Sequence, residues 1–108
     1  MRPEPLRGQI WDVDFEGFGE HPAVVLSANR LNQVLGHVAV VPITGTSGPQ
    51  ATHVVLTRDA GLTRYDQSFA DVTELQPVDR YALLRQCGQL APAELGSIQS
   101  RLRVYLGL

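Results

Sequence analysis

The chain contains no lysine, a single cysteine and no long apolar run. Because Cys87 stands alone, an intramolecular disulfide is excluded, and the simplest interpretation of this residue is a small core side chain. No apolar stretch approaches the ~18 residues of a membrane-spanning helix, and the N-terminus lacks the apolar segment of a signal peptide. These absences predict a cytoplasmic protein that makes no membrane contact.

The charged residues are few and nearly balanced. All nine basic residues are arginine, whose planar guanidinium suits phosphate, but the net charge is −2. Broad nucleic-acid binding needs a basic face, so only a local basic groove, doubled across a dimer, is compatible with this charge. The length of 108 residues and the hydrophobic content of 44% predict one globular domain, residues 1–108.

Short apolar runs separated by loops dominate most of the chain, which is typical of a mainly β fold. We expect strands at 9–15, 23–26, 37–43, 53–57, 68–75 and from about 83 onwards. We predict a glycine-containing hairpin loop at residues 16–20 and a short helical turn at residues 27–35. Residues 58–67 are predicted to form a polar, mobile segment. Pro22 suits the entry of the second strand and Pro77 the end of the fifth, because proline cannot donate to a ladder.

A helix is predicted over residues 90–106. Pro92 suits the first helical position, Glu94 the positive N-terminal end, and Gly107 a C-terminal stop. Apolar residues follow helical spacing at Leu95, Ile98, Leu102, Tyr105 and Leu106. Several strands followed by one amphipathic helix predict a small β-barrel or curled sheet with the helix packed on it.

Reactive side chains stand at the ends of two predicted strands. His21 lies at the mouth of the second strand, and a polar cluster from Thr44 to Ser47 closes the third. Cleaving RNA internally needs a base for the 2′-hydroxyl, an acid for the leaving oxygen and donors for the phosphate charge. An imidazole suits proton transfer at neutral pH as acid or base, and hydroxyls can donate to phosphate. The same residues are also common in ordinary turns, where their side-chain hydroxyls form hydrogen bonds with backbone groups.

Several segments together carry a family resemblance. They are Arg7-Gly-Gln-Ile-Trp-Asp-Val-Asp14, His21-Pro-Ala-Val-Val-Leu-Ser27 with Asn29 and Asn32, Val40-Val-Pro-Ile-Thr44, Thr52-His53-Val54, Val78-Asp-Arg80 with Leu83-Leu84, and Gly88-Gln-Leu90. In order and spacing they resemble the MazF/PemK/Kid toxins of type II toxin–antitoxin systems. The resemblance implies an SH3-like small β-barrel with a C-terminal helix, and a homodimer. It also implies a sequence-specific, metal-independent endoribonuclease that cuts single-stranded RNA by attack of the ribose 2′-hydroxyl on the adjacent phosphate.

The chain departs from the family pattern at two places. His21 stands where the family usually has an arginine with a catalytic role, and Glu74-Leu75-Gln76 stands where Gln-Ile-Arg is common. The threonine after Pro-Ile is kept as Thr44. The resemblance therefore implies His21 and Thr44 as catalytic residues. Because a hydroxyl alone is too weak to neutralise the phosphate charge, we expect an arginine to replace the missing cation. Arg30 is the first candidate, since it closely follows the second strand, and Arg58 and Arg64 are the others. The candidate RNA-binding residues are Phe18, Glu20, Arg30, Thr46, Ser47, Glu74 and Gln76.

The family resemblance also implies partners and leaves a second function open. A cognate antitoxin is expected to fold a disordered, acidic C-terminal segment onto the dimer groove. No His, Cys, Asp or Glu cluster has metal-ligand spacing, so no metal or other cofactor is expected. The alternative is a non-enzymatic module of the same fold, either catalytically inactive or gyrase-directed like the related CcdB toxins. In those relatives the end of the last helix contacts the target, whereas residues 103–108 here are apolar and expected to be packed.

Overall fold

The computed structural model describes residues 4–57, 60–62 and 65–108. Its strands and helices are β1 Gln9–Phe15, β2 Gly19–Val25, α1 Asn29–Asn32, β3 His37–Thr44, β4 His53–Leu56, β5 Ser68–Asp71, β6 Gln76–Asp79, β7 Leu83–Gln89 and α2 Pro92–Leu106. Two single 3₁₀ turns, Val72–Glu74 and Arg80–Ala82, flank β6. The predicted mainly β fold with a C-terminal helix is confirmed.

All strands join one antiparallel sheet in the order β4-β5-β3-β2-β1-β7. β3 is its centre, because one edge of β3 pairs with β2 while the other pairs first with β6 and then with β5. Within the described residues no ladder joins β4 to β7, so the curled sheet is not closed by backbone hydrogen bonds. The central position of β3 brings the start of β5 and the start of β2 to the same end of the sheet, beside Thr44.

Two apolar cores lie on opposite faces of β1 and β2. Ile10 and Val24 belong to the core beneath α2, whereas Val13 and Ala23 belong to the core on the other face. Successive side chains of a strand point to opposite faces. A strand buried on both faces therefore needs the continuous apolar run that residues 23–26 display.

The β1–β2 hairpin is tighter than the sequence suggested. The Phe18 N–H donates to the Phe15 carbonyl at 3.0 Å, and β2 begins at Gly19 rather than at Ala23. Residues 19 and 20 are therefore strand rather than loop. Pro22 lies inside β2, and pairing with β3 begins only at Ala23, consistent with the missing proline N–H.

The prediction that Pro77 ends a strand was wrong. The strand instead ends at Asp71, whose carboxylate accepts the Thr73 N–H at 3.0 Å and caps a 3₁₀ turn. The chain then forms the separate strand β6, in which Pro77 pairs with Ala39. Proline is tolerated there because β6 pairs with β3 alone and is an edge strand.

The predicted polar segment 58–67 contributes to the core. Residues 58, 59, 63 and 64 lie outside the described residues, but Ala60 and Leu62 are buried beside α2. This segment crosses β7 closely, because a Cβ built on Gly88 would collide with the Ala60 carbonyl oxygen. The glycine at position 88 is thus required by a contact between two backbones.

Helix α2 ends at Leu106 as predicted but begins at Pro92 rather than at residue 90, and it packs over only part of its length. Ile98 is buried, with Leu95 and Leu102 packed beside it on the core. The end of α2 was expected to be packed, and this expectation was wrong. Val104 and Leu108 are 78% and 79% exposed. Among the described residues, no helix is long and apolar enough to cross a membrane.

Two polar residues of the motif segments hold the backbone together. The Arg7 guanidinium donates through Nε to the Leu26 carbonyl at 2.9 Å, beyond the end of β2. Asn32, which is 1% exposed, donates to the Ser27 carbonyl at 2.9 Å and fixes α1 against β2. The Ser27 hydroxyl in turn accepts the Ala39 N–H at 3.0 Å. These contacts explain the arginine and the asparagine of the motifs by packing rather than by catalysis.

Two glycine-to-alanine changes should have opposite effects on stability. We expect Gly88→Ala to lower the free energy of unfolding by about 2 kcal/mol, because the new methyl group overpacks against the Ala60 carbonyl. Gly96→Ala is the matched control, since nothing lies within 4 Å of its added Cβ inside α2. It should raise the free energy of unfolding by up to about 1 kcal/mol. Urea unfolding at equal protein concentration measures both, and a neutral Gly88→Ala would contradict the close crossing.

Candidate active site

A groove lies between the β1–β2 hairpin and the end of β3. Its volume is about 370 Å³, within the range of small-molecule and nucleoside sites. Its lining residues are Phe15, Phe18, His21, Pro42, Ile43, Thr44, Tyr65, Glu74 and Gln76. Both residues that the family resemblance implies as catalytic thus open onto one cavity.

The pairing of β2 with β3 brings His21 and Thr44 together. Ala23 pairs with Pro42, and Val24 with Val41. Continuing this antiparallel register by two residues from Ala23 sets His21 level with Thr44, on the same face of the sheet. The groove lining agrees with this placement, because both side chains contact the same cavity.

The surroundings of His21 select one tautomer of its ring. His21 is half-buried, and its Nε2 lies 3.2 Å from the Phe18 carbonyl oxygen. A carbonyl can only accept, so this bond requires the hydrogen on Nε2. In the neutral ring, Nδ1 then carries the lone pair that can take a proton. The ring is also tilted against Phe15, with 6.5 Å between the ring centroids.

Thr44 ends β3 and begins a turn. Its hydroxyl oxygen accepts the Thr46 N–H at 3.1 Å, as hydroxyls in such turns do. A hydroxyl that accepts a bond keeps its own O–H for donation. Thr44 can therefore accept the turn hydrogen bond and donate to a phosphate oxygen at the same time.

His53 holds the loop that follows Thr44. Its ring lies against Gly48, where an added Cβ would overlap the imidazole. Nδ1 lies 2.8 Å from the Thr52 hydroxyl, and Nε2 lies 3.6 Å from Asp71 Oδ2. Asp71 also caps the turn that carries Glu74. One imidazole thus connects the two loops that border the groove.

The structure brings only some of the candidate RNA-binding residues to the groove. Phe18, Glu74 and Gln76 line it, and Phe18 is 81% exposed at the hairpin tip. Ser47 lines a neighbouring depression beside Tyr65. Thr46 is exposed next to Thr44.

Glu20 and Arg30 lie elsewhere. Glu20 points to the opposite face of β2 from His21 and pairs with Arg85 at 2.9 Å. Arg30 is exposed on α1, beyond the far end of β2, and does not line the groove. Within the described ranges the groove lining contains no arginine, and the candidates Arg58 and Arg64 lie outside those ranges.

Sequence reasoning missed two aromatic residues of the groove, Phe15 of β1 and Tyr65. Tyr65 lies between the groove and the neighbouring depression, and its ring packs so closely on Gly45 that a Cβ there would overlap it. It is remote from His21 in sequence, and it stands in a polar segment without strand or helix periodicity. The only sequence signal is the isolated tyrosine itself, so the fold was needed to find it.

Comparison with known proteins agrees with the fold and identifies the family. The family model described as PemK-like, MazF-like toxin of type II toxin–antitoxin system matches residues 6–106. The chain belongs to this toxin family. The prediction made from the motif segments is thereby confirmed.

Similar proteins of known name and structure cover nearly the whole chain. Endoribonuclease MazF9 of Mycobacterium tuberculosis is 28% identical over 113 residues, covering 94% of this chain and 96% of MazF9. Endoribonuclease MazF4 of the same species is 29% identical, covering 96% and 94%. A mycobacterial endoribonuclease solved in complex with its cognate antitoxin is 27% identical, with a TM-score of 0.87 and 96% coverage of both chains.

The toxin has a second depression on the opposite face of β2. The Arg85 guanidinium bridges two carboxylates there, at 2.6 Å from Asp12 Oδ2 and 2.9 Å from Glu20 Oε1. The Cys87 thiol lies 3.8 Å from Asp12 Oδ1. Burial, the Asp12 charge and the bond to Asp12 raise the pKa of Cys87 to about 11, against the opposing effect of Arg85. Cys87 is therefore a protonated thiol at neutral pH, not a nucleophile.

The alkylation rate of Cys87 tests this assignment. Since only the thiolate reacts, the rate with iodoacetamide should rise with a midpoint near pH 11 rather than near the ordinary pKa of 9.0. Asp12→Asn should lower that midpoint only in part, because burial is the larger cause. Asp14→Asn, an exposed carboxylate on the same strand, is the control and should leave it unchanged. A midpoint near 9 in the unaltered protein would contradict the assignment.

Proposed function

We propose that this toxin cuts single-stranded RNA in the groove, with His21 and Thr44 at the reacting phosphate. The observation that carries the proposal is their shared placement: an imidazole and a hydroxyl, level on adjacent strands, open onto one cavity. The names of its relatives support the same activity. Single-stranded RNA suits the groove, because only unpaired bases can turn outward to reach aromatic side chains.

His21 acts as the base in this proposal. The bond from Nε2 to the Phe18 carbonyl leaves Nδ1 to take the proton of the ribose 2′-hydroxyl. The 2′-oxygen then attacks the adjacent phosphorus and the bond to the 5′-oxygen breaks. The products are a 2′,3′-cyclic phosphate and a 5′-hydroxyl, which takes its proton from water.

Thr44 stabilises the negative charge that develops on the phosphate. Its O–H donates to a non-bridging oxygen while its oxygen keeps the turn bond from Thr46. A neutral hydroxyl donates a weaker bond than a cation does. We therefore assign the missing cation to Arg58 or Arg64, which are close in sequence to the groove residue Tyr65.

The proposal includes partners. A cognate antitoxin with an acidic C-terminal segment binds the toxin, as the solved mycobacterial relative in complex with its own antitoxin suggests. The toxin forms a homodimer, for which the exposed apolar end of α2 supplies surface to bury. Because the substrate is cellular RNA, the site of action is the cytoplasm.

The exposed end of α2 also favours a second candidate function. Val104, Tyr105, Leu106 and Leu108 are all at least 49% exposed, so the helix end presents an apolar surface to a target. A gyrase-directed toxin of this fold would use such a surface without any chemistry in the groove. A supercoiling assay with gyrase beside an RNA digest separates the two functions.

Substitution of the two reactive residues tests the first proposal. We expect His21→Ala and Thr44→Ala each to lower the cleavage rate of single-stranded RNA by roughly 10²-fold or more, through lost proton transfer and lost charge stabilisation. His37→Ala is the matched control, because His37 is exposed at the opposite end of β3. The measurement is a gel assay in excess EDTA with identification of the cyclic-phosphate end.

The outcomes separate the roles. Wild-type rates in His21→Ala would rule out its role as base, while equal losses in His37→Ala would point to general damage to the fold. Inhibition of gyrase without RNA cleavage would replace the proposal by the second candidate.

A further inference from the structure

The wall of the groove opposite His21 is made of hydrogen-bond acceptors. Glu74 lies at the end of the 3₁₀ turn and is exposed, and its carboxylate oxygens are hydrogen-bond acceptors. The Gln76 side chain donates through Nε2 to the Glu74 carbonyl at 3.1 Å. This bond uses one of the two Nε2 hydrogens and orients the amide, so the side-chain oxygen of Gln76 is available as a second acceptor next to one N–H donor. Both residues line the groove beside Thr44.

A carboxylate in an RNA-binding groove restricts what can lie next to it. It repels phosphate groups, so the group of the RNA that faces Glu74 is a hydrogen-bond donor, and the aromatic residues of the groove favour a base in that place. That base must present N–H donors, because an ionised carboxylate has none. Guanine is the RNA base whose Watson–Crick edge carries two adjacent donors, N1–H and N2–H. Two parallel donors match two carboxylate oxygens, the geometry that makes bidentate bonds specific.

Aromatic side chains flank the same space. Phe18 is 81% exposed on the hairpin tip, and Tyr65 packs on Gly45 at the other side. Aromatic rings are platforms on which unpaired bases stack, and they accept any base. Stacking would therefore hold a base in the groove, while the acceptors decide which base it is.

We propose that the groove is a guanine-binding subsite in which Glu74 accepts hydrogen bonds from N1–H and N2–H. The proposal rests on the proposed RNA cleavage and adds its base preference. Gln76 supports the edge contact, and Phe18 and Tyr65 hold the ring plane. An antitoxin arginine is the competing partner for the Glu74 carboxylate. The aromatic flanks favour the base, since they supply a stacking site that an arginine–carboxylate pair does not require.

Sequencing the cut ends of a random RNA pool tests the proposal. The unaltered toxin should show guanine enriched about tenfold or more at one fixed position relative to the cut. Glu74→Gln should abolish that enrichment, because a neutral amide offers one acceptor beside a donor. Glu16→Gln removes the same charge from the neighbouring hairpin outside the groove lining, and it should keep the enrichment.

A binding measurement makes the result independent of catalysis. Uncleavable 2′-O-methyl oligonucleotides containing guanine or inosine differ only in the N2 amino group. The inosine oligonucleotide should bind the unaltered toxin about tenfold more weakly than the guanine oligonucleotide does. The two oligonucleotides should bind Glu74→Gln with equal affinity. 7-Deazaguanine, which keeps the Watson–Crick edge, should bind as guanine does.

Each result bears on one claim. Cleavage without guanine enrichment would overturn the subsite and leave the nuclease standing. No cleavage with a guanine-over-inosine preference would overturn the nuclease but keep the subsite. Enrichment that survives Glu74→Gln, together with weakened antitoxin binding by that variant, would assign Glu74 to the protein partner instead.

Discussion

The pairing register between β2 and β3 is the constraint on which the candidate site depends. With Ala23 opposite Pro42, the strand end that carries His21 reaches the level of Thr44. A slip of one residue would turn every side chain of β2 to the other face. Pro22 would then stand in the groove, and the imidazole would lie beside Asp12. Burial of both faces of β2 protects this register, because a slip would also exchange residues between the two cores.

Because successive side chains of β2 point to opposite faces, the strand separates the groove from a cluster of ion pairs. One face of the β1–β2 pair holds the groove with His21, whereas the other holds the pairs of Arg85 with Asp12 and Glu20. Arg85, which pairs with Glu20 of β2, is thus committed to carboxylates on the wrong face for the proposed reaction. A replacement for the usual family arginine must come from another segment.

Structural contacts also fix the positions of the loops that border the groove. His53 connects the loop after Thr44 with Asp71, and Asp71 caps the turn that carries Glu74. Tyr65 packs on Gly45 in the same loop. Precise placement of reacting groups requires such support, since small displacements of a catalytic group are costly. The proposed base contact and the proposed reacting hydroxyl therefore share one framework of packed rings.

Local signals in the chain were sufficient for the fold class, for a helix that ends at Leu106 and for the position of Thr44 at the end of a strand. Apolar alternation, Pro92, Gly107 and the motif segments each act over a few residues, so they can be read without the fold. Tertiary structure alone decided that Glu20 faces away from His21, that Tyr65 enters the groove and that Pro77 lies within an edge strand. It also decided that the end of α2 is exposed. These features depend on strand register and on contacts between distant segments, such as the crossing of Ala60 over Gly88. Neither the register nor such contacts produce a periodic pattern in the sequence.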